Sequence, residues 1–519
     1  MKKAIYLIIA LIGLSAPSCS DSMLDFSPTD SGSGKELLKS ASTAITSVNG
    51  VYRSMWTAGW STTANTHQCF GIAAYNLALD CMADDLIMQS QGNGWFWGDH
   101  CYNVKSNYTS SAFRSYDVWY ANYKWIANVN YIIDAEPEMA GTEADVAYVA
   151  GQAYAIRALC YLNLATWFSR APYNSLTGAS RWNEPCVPVY TTGTSIDTGG
   201  QPRESLRTVY GRIDQDIDRA IELLEKARET TLAENNKSHI NLYVALGIKS
   251  RACLAEGDWD GAFKAAKRVI DDGGYAVGTK SDLTGGMNSL DKQNVMWGAG
   301  IQVADQAGGY AGFFTHMDNK EGAYAKSAPK LISKQLYNRI SATDIRRDWW
   351  DPSDKESPYV SKKFSFANVA SFLGDYIYMR VEEMYFTAAE AALRLDDLKS
   401  ARELMNTVMA ERDPGYSANN RSGTLLGATT TTWTGSFLEN ILTHRRIELW
   451  GEYGRLFDVR RLGQGIDRRT DDGFSEECIS MMNRRNVNIT KADTYDWVLT
   501  IPKAELDANP NINEEDQNP

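Results

Sequence analysis

The sequence predicts a mainly α-helical protein, with long loops and a few short strands between its helices. Apolar residues recur at steps of three and four along much of the chain, the spacing that places them on one buried helix face. Strict alternation of apolar and polar residues, which indicates a half-buried strand, is scarce. Two helical stretches also repeat one another at a fixed offset, as the units of a helical scaffold do.

The helices are predicted from their apolar stripes. The clearest stripe runs from Leu206 to Leu224 and includes Val209, Ile213 and Ile217. The same spacing predicts helices within 118–133, 149–168, 242–270, 376–409 and 438–457. Only short pieces are expected to be extended, namely 187–190, 295–303 and 497–501.

The internal repeat pairs residues 251–270 with residues 390–409. At one offset Leu254 matches Leu393 and Asp258 matches Asp397, and small alanines recur where two helices would cross. Each copy reads as a helix, a tight turn and a second helix, which is the tetratricopeptide design. A third unit is expected from the helix that ends near residue 168 and the helix that begins near residue 205. The alternative is that these are ordinary antiparallel helix hairpins that do not derive from a common repeat, and it predicts the same helical scaffold.

The first residues read as an export signal. Lys2 and Lys3 precede an apolar run from Ala4 to Leu14, and small residues then lead to Cys19. The run is shorter than the roughly 20 apolar residues of a membrane-spanning helix, so a retained span is the weaker interpretation. We therefore expect a signal peptide over 1–18 and a cysteine that carries lipid, followed by a flexible tether over 19–34. A plain secretory signal with an incidental cysteine is the alternative.

Composition limits the class of partner and the use of the cysteines. The formal net charge is −12, which argues against nucleic acid as a partner because nucleic-acid binding needs a basic face. The basic pairs 445–446 and 460–461 are interleaved with acids and are expected to form ion pairs. No cysteine spacing indicates zinc. Cys160 and Cys253 are expected to be small buried residues. Cys69, Cys81 and Cys101 are close enough in sequence for one disulfide between two of them, which the sequence alone does not decide.

After the tether we expect one large domain, 35–519, because no linker divides it cleanly. Four loop-rich insertions interrupt its helices, at about 60–117, 170–203, 271–375 and 412–436. These loops are rich in aromatic residues, which need a reason to lie outside the helical core. Carbohydrate binding is one such reason, because the C–H face of a pyranose stacks on an aromatic ring.

The segment 92–100, GNGWFWGDH, is the strongest candidate for such a stacking surface. If the piece is extended, Trp95 and Trp97 point to one side, with Asn93 and Asp99 beside them. The competing interpretation is that both indoles anchor the loop to the helices, as large amphipathic rings often do.

Residue patterns for catalysis are unconvincing. Asp84 and Asp85 are adjacent, so their carboxylates point apart on a helix or strand, unlike a glycosidase pair that faces one bond. They are expected to cap a helix, pair with arginine or bind a ligand. The sequence contains no GxSxG, HExxH or phosphate-loop motif, and its five histidines lack ligand spacing. We expect neither an enzyme nor a cofactor or metal.

Residues 444–463, HRRIELWGEYGRLFDVRRLG, are more specific. Arg445 with Glu448, and Glu452 with Arg455, stand three apart and would form ion pairs along a helix. The segment resembles the signature of the SusD/RagB family, lipoprotein partners of TonB-dependent barrels, in its RRxEL, Glu and RxFDxRR elements. The segments 153–173 and 376–395 and the tail 497–512, with its Ile-Pro and Asn-Pro pairs, resemble the family in the same order.

This resemblance implies a SusD-like fold, in which four tetratricopeptide-like helix pairs pack against a loop-rich half with a few short strands. It implies a cell-surface protein that binds oligosaccharide or polysaccharide, without catalysis, and delivers it to a SusC-like TonB-dependent transporter. The lipid on Cys19 would hold it at the outer face of the outer membrane, and the nearby Asp21 and Asp25 are similar to a surface-export signal. A peptide-binding lid on the same scaffold and, third, a surface glycosidase are the alternatives.

Ligand-binding residues are not part of the family signature. By analogy with glycan-binding relatives we place them in the loop after the early aspartates and in the mid-chain loop. The expected contacts are Trp95, Trp97, Asn93, Asp99 and Arg114 in the first loop and Trp297, Tyr310 and Phe313 in the second.

Overall fold

The computed structural model describes residues 34–57, 66–103, 113–195, 197–233, 237–302, 311–425, 433–491 and 494–519. The predicted signal peptide, Cys19, Asp21, Asp25 and Tyr310 lie outside these residues. Among the described residues, no helix combines the length and the apolar character needed to cross a bilayer.

Helices dominate the described chain, as the apolar spacing predicts. The helices of its first half are α1 (Gly34–Leu37), α2 (Ala41–Ser54), α3 (Ile72–Met82), α4 (Trp97–His100), α5 (Phe113–Ala135), α6 (Glu143–Phe168), α7 (Leu206–Lys226), α8 (Leu242–Glu256) and α9 (Trp259–Asp272). The helices of its second half are α10 (Lys280–Thr284), α11 (Phe313–Met317), α12 (Ala323–Ser327), α13 (Lys334–Tyr337), α14 (Val381–Arg394), α15 (Leu398–Ala410), α16 (Phe437–Glu448), α17 (Arg455–Arg461), α18 (Glu476–Arg484) and α19 (Lys503–Ala508).

Within the described ranges, six short strands form two antiparallel sheets. The strands are β1 (Leu86–Met88), β2 (Val295–Ala299), β3 (Lys330–Ile332), β4 (Trp350–Asp351), β5 (Val360–Ser361) and β6 (Tyr376–Arg380). One sheet has the order β1-β3-β5-β4 and the other pairs β2 with β6. Of the three extended pieces predicted, only 295–303 contains a strand. The prediction of helix from residue 376 is wrong for its first five residues, because they pair with β2 as β6.

The long helices pack in an order close to that of the sequence. Helix α6 packs against α5 and α7, and α7 packs against α8. Helix α9 then packs against α8 and α14, and α14 packs against α15. Gly151 of α6 lies against Leu223 and Leu224, where a Cβ atom would stand 3.0 Å from the Leu224 Cγ atom. A larger side chain would therefore push α6 and α7 apart. One hydrophobic cluster runs through this scaffold from Ala41 to Ile512.

The two repeat units form matching helix hairpins, α8–α9 and α14–α15. Asp258 caps α9 by accepting the Gly261 N–H, and Asp397 caps α15 by accepting the Ser400 N–H. The residue before each cap is left-handed, with φ 76° at Gly257 and φ 64° at Asp396. The matched positions thus have the same local structure, while their descent from a tetratricopeptide repeat stays a prediction.

Glu448, the last residue of α16, lies at the centre of a buried ion network. Its carboxylate accepts hydrogen bonds from the guanidinium groups of Arg346 at 3.0 Å, Arg380 at 3.0 Å and Arg412 at 2.9 Å. All four side chains are fully buried. The network therefore ties α16 to β6, to the turn Ile345–Trp349 and to the end of α15.

The expectation that the charges of segment 444–463 pair along one helix is wrong. Helix α16 ends at Glu448 and α17 begins at Arg455, so Glu452 and Arg455 do not share a helix. Arg445 Nε donates to Asp458 Oδ2 at 2.8 Å rather than to Glu448. The signature charges are paired, as expected, but between elements instead of along one helix face.

The cysteines are all buried where the structure describes them. Cys160 and Cys253 lie in the helical core, which confirms the sequence interpretation. Cys69, Cys81 and Cys101 are present as free thiols.

Candidate functional site

The pairing of β1 with β3 brings two distant loops together. In this antiparallel pair Met88 stands opposite Lys330. The residues that follow β1 therefore meet the residues that precede β3. This places the predicted Trp95 loop beside helix α12 and its Tyr324.

A half-exposed cluster of three rings occupies this junction, and we call His67, Trp95 and Tyr324 the aromatic cluster. The rings of His67 and Trp95 are stacked, with centroids 4.7 Å apart and an interplanar angle of 28°. The Tyr324 ring meets both, at 5.5 Å from His67 and 6.1 Å from Trp95. Its hydroxyl lies 2.8 Å from Nδ1 of His67. Each of the three side chains is partly exposed.

A close approach of two backbones fixes the loop. Gly92 has φ 50°, a conformation that L side chains rarely adopt, and a Cβ atom there would stand 2.6 Å from the Ser327 carbonyl oxygen. The loop can therefore lie directly on the end of α12 only with glycine at this position. That contact sets the distance between Trp95 and Tyr324.

A buried ion pair supports the cluster from below. Arg114 donates to Asp99 through two parallel hydrogen bonds of 2.7 and 3.0 Å, and both side chains are fully buried. Arg114 also donates to the Gln68 carbonyl at 3.1 Å, while the Gln68 side chain accepts the Phe96 N–H at 2.8 Å. Because His67 precedes Gln68 and Trp95 precedes Phe96, these bonds position the two stacked rings. Bidentate guanidinium–carboxylate pairs are well suited to this role.

Burial disfavours the charged form of the two histidines at the site. Partial burial lowers the pKa of His67, and full burial lowers the pKa of His316 well below the usual value. Nε2 of His316 lies 2.6 Å from the His67 carbonyl oxygen. The site therefore presents aromatic faces rather than positive charge. Among the described residues, no group of three or more His, Cys, Asp and Glu side chains is arranged to hold a metal ion.

The structure separates the expected contacts of the first loop. Trp95 is partly exposed and Asn93 is exposed, so both can reach a ligand. Trp97 is not on the same side as Trp95, which corrects the extended-loop expectation. Phe96 adopts a left-handed conformation with φ 61° and α4 starts at Trp97, and these two features turn the Trp97 ring into the core. For Trp97 the competing interpretation therefore holds, because its ring anchors the loop to the core.

Four other expected contacts are also buried and have structural partners. Asp99 and Arg114 bind one another. Trp297 is 1% exposed and donates from its indole nitrogen to the Ser238 carbonyl at 3.1 Å. Phe313 lies edge-on against Phe314 and Phe364. In this conformation the four side chains offer no surface to a ligand, and Tyr310 lies outside the described residues.

Sequence reasoning gave no role to two members of the aromatic cluster. Tyr324 stands out in the sequence as a loop aromatic outside the helical stripes, whereas His67 carries no such signal. Their neighbour Trp95 is far from Tyr324 in the chain, and only the β1–β3 pairing brings them together.

Comparison with known proteins bears on the same regions. A model described as the SusD family matches residues 325–519. A model described as starch-binding, associating with the outer membrane, matches residues 43–254. No curated protein matches the sequence significantly.

Three solved structures illustrate the similarity. A SusD-like carbohydrate-binding protein from Bacteroides vulgatus is 25% identical, with a TM-score of 0.72 over 92% of this chain and 98% of its own. A SusD superfamily protein from Bacteroides thetaiotaomicron is 22% identical, with a TM-score of 0.73 over 92% and 100% of the two chains. Surface glycan-binding protein A from Bacteroides thetaiotaomicron, in complex with laminarihexaose, is 16% identical, with a TM-score of 0.64 over 92% and 99%.

The two matched segments contain His67, Trp95 and the buried network around Glu448, and the fold matches nearly end to end. This chain belongs to the SusD family.

Proposed function

We propose that this protein is a non-catalytic glycan receptor of the cell surface, which passes its ligand to a SusC-like TonB-dependent transporter. The observation that carries the proposal is the aromatic cluster of His67, Trp95 and Tyr324. It is partly exposed and held by buried hydrogen bonds, and partial burial lowers the pKa of His67, which disfavours a positive charge there. A structure with the same fold is a glycan-binding protein with laminarihexaose bound.

The chemistry of the cluster suits a neutral sugar. The apolar face of a pyranose can lie on the indole of Trp95, while its hydroxyls need amide or hydroxyl partners nearby. Asn93 and Gln91 are exposed on the same turn, and the Tyr324 hydroxyl stands at the other side. Because the rings are already fixed by their supports, little conformational entropy is lost on binding.

Asp84 and Asp85 do not act as a glycosidase pair in this arrangement. Both are buried, Asp84 accepts hydrogen bonds from Arg446 and Arg455 at 3.0 Å, and Asp85 accepts from Arg446 at 2.9 Å. Their pairing with arginine agrees with the sequence interpretation. The proposed role is therefore capture and delivery of the glycan, without cleavage.

Delivery requires the protein to stay at the membrane. We propose that lipid on Cys19 holds it on the outer face of the outer membrane, with residues 19–34 as a tether above the transporter. The family model that matches residues 43–254 is described as associating with the outer membrane.

Single substitutions in the aromatic cluster test the proposal. An array of neutral plant, fungal, bacterial and host glycans, laminarihexaose included, selects a bound oligosaccharide, and calorimetry then measures its affinity. Trp95→Ala should weaken binding about tenfold, which corresponds to about 1.4 kcal/mol, because it removes the stacking surface. Trp182→Ala is the matched control, since Trp182 is another partly exposed loop indole and lies against Tyr210 and Arg207 instead.

Three outcomes would contradict the proposal. Unchanged affinity in Trp95→Ala would exclude the cluster as the binding surface. Binding of peptides, with no glycan bound, would favour the peptide-binding lid. New reducing ends after incubation with the glycan would show an enzyme.

A further inference from the structure

A second concave surface lies on α5, away from the aromatic cluster. Its cavity of about 470 Å³ is bounded by α5, by the loop residues Tyr190, Thr194, Ser195 and Thr198, and by Glu505 of α19. Four aromatic rings line it, those of Trp119, Tyr120, Tyr123 and Tyr190. We call this surface the α5 groove. Its volume is in the range of small-molecule sites in proteins, and it shares no residue with the aromatic cluster.

The rings of the α5 groove are held in place by their polar ends. The Tyr123 hydroxyl donates to the Pro188 carbonyl at 2.8 Å, and the Trp119 indole nitrogen donates to Glu505 Oε2 at 3.2 Å. The Tyr190 hydroxyl accepts a backbone N–H at 3.0 Å. Trp119 and Tyr123 lie 4.9 Å apart at 48°, and Tyr123 and Tyr190 lie 5.8 Å apart at 90°. Fixed rings present an angled apolar surface at little entropic cost to a ligand.

The remaining lining indicates which ligand fits. Ser195 and Thr198 bring hydroxyl groups to the rim, and Glu505 and Lys124 contribute one charge of each sign. A strongly charged ligand would gain nothing from such a balanced pair, and a purely apolar ligand would strip water from the hydroxyls without replacing their hydrogen bonds. A neutral polyol with an apolar face satisfies both the rings and the polar rim.

The groove and the support of the aromatic cluster use opposite faces of α5. Arg114, which supports the cluster, and Tyr123, which lies in the groove, are nine residues apart, about 14 Å along the helix axis and about half a turn around it. Between them Tyr116 and Tyr120 are partly exposed and stacked, with ring centroids 5.5 Å apart. A polymer long enough to pass around α5 and occupy both sites would be retained better than by either site alone.

We propose that the α5 groove is a second glycan site, which takes a neutral pyranose unit of the same polysaccharide. The class of ligand in this proposal rests on the proposed function, whereas the position of the site rests on the rings that line the groove. It implies that the protein prefers long chains, which can occupy both sites, over short oligosaccharides.

Filling the groove tests the proposal without removing a supporting ring. Ala127 lines the groove and is partly buried, so Ala127→Arg should block it. Asn128→Arg, at the next, exposed position of the same helix, is the matched control. Tyr120→Ala is a second, independent variant that removes a lining ring. Circular dichroism and thermal melting check that each variant folds.

Calorimetry with the array-selected oligosaccharide and with its parent polysaccharide gives the readout. The unmodified protein should bind two oligosaccharides, and Ala127→Arg should bind one with the affinity of the aromatic cluster. Polysaccharide affinity should fall about tenfold in Ala127→Arg and in Tyr120→Ala, and should not change in Asn128→Arg.

The outcomes separate this proposal from the proposed function. Loss of one site in Ala127→Arg supports the groove even if Trp95→Ala has no effect. A single site in the unmodified protein, with polysaccharide affinity unchanged in Ala127→Arg and Tyr120→Ala, would overturn it. A second result would also overturn it. If a groove substitution changes self-association, measured by analytical sedimentation, and leaves glycan binding unchanged, the occupant of the groove is a second copy of the chain.

Discussion

Neighbouring residues of this protein have opposite environments, as Trp95 and Trp97 show. The first indole is partly exposed beside His67, and the second is 3% exposed in the core. The cause is local, since the left-handed Phe96 reverses the direction of the chain and α4 begins immediately afterwards. Residue type alone therefore does not decide which tryptophan meets a ligand.

Asp80 leads to a prediction about stability and pH. Its carboxyl group is buried, and one oxygen accepts the Arg455 N–H at 2.6 Å, while the other has no hydrogen-bond partner among the described residues. Burial raises the pKa of Asp80 to about 8. Between the ordinary carboxyl pKa and about pH 8, the folded protein therefore holds a proton on Asp80 that the unfolded chain has already released. In that pH window Asp80 lowers the free energy of unfolding as pH rises, by at most about 1.4 kcal/mol per pH unit.

Asp80→Asn should remove this contribution. The amide keeps an oxygen for the Arg455 N–H and cannot ionise. We expect the unfolding free energies of the two proteins to be similar at pH 4 and to diverge in favour of Asp80→Asn up to about pH 8. Urea denaturation at several pH values measures the difference. A difference that does not change with pH would mean that Asp80 is ionised in the folded protein.

At the scale of elements, the loop-rich half is held to the helical scaffold by buried ions as well as by apolar contacts. Glu448 receives guanidinium groups from β6, from the turn before β4 and from the residue pair after α15. Arg446 and Arg455 in turn reach Asp84 and Asp85 at the start of β1. The signature segment thus acts as the joint between the repeat helices and the strands that carry the aromatic cluster.

Glu448→Gln should therefore destabilise the protein strongly. The amide leaves buried guanidinium charge uncompensated, for which the expected cost is about 3–5 kcal/mol. Glu403→Gln is the matched control, because Glu403 lies in the exposed pair with Lys399, and such pairs contribute little. Urea unfolding should show a large fall in the midpoint for the first variant, and a change in unfolding free energy of less than about 0.5 kcal/mol for the second. Equal midpoints would contradict the proposed joint.

At the scale of the whole molecule, the scaffold and the aromatic cluster have separable roles. The cluster sits where two insertions meet, at the edge of the four-stranded sheet, and the long helices pack elsewhere. If the aromatic cluster binds the ligand as proposed, changes of its loop aromatics would change the ligand without disturbing the helices. In the proposed function the loops carry the ligand contacts and the helices support them.

Cys19→Ala tests the proposed anchor at this scale. The variant should fold and bind the array-selected oligosaccharide as the unmodified protein does, because Cys19 precedes the described domain. It should be lost from the outer-membrane fraction and from the surface-exposed pool, as judged by fractionation and by protease treatment of whole cells. Retention at the surface without the lipid would indicate that a protein partner holds it.

The helices, the matched hairpins and the family were predictable from the sequence. Apolar spacing is a local property, and 206–224 became α7 with two further residues at its end. The matched aspartates of the repeat became matched helix caps for the same reason. The strand β6 was missed because its five residues are as apolar as the helix that follows, and only the pairing with β2 makes them extended.

The aromatic cluster, which is the proposed binding surface, was decided by the tertiary structure. Trp95 was predictable as a loop aromatic, but its partners His67 and Tyr324 are joined to it by the β1–β3 register, the glycine contact at Gly92 and the buried Arg114–Asp99 pair. The sequence by itself determined which stretches are helical and which family they belong to, because both follow from short-range patterns. Which rings face solvent depends on contacts between residues far apart in the chain, and these exist only once the chain is folded.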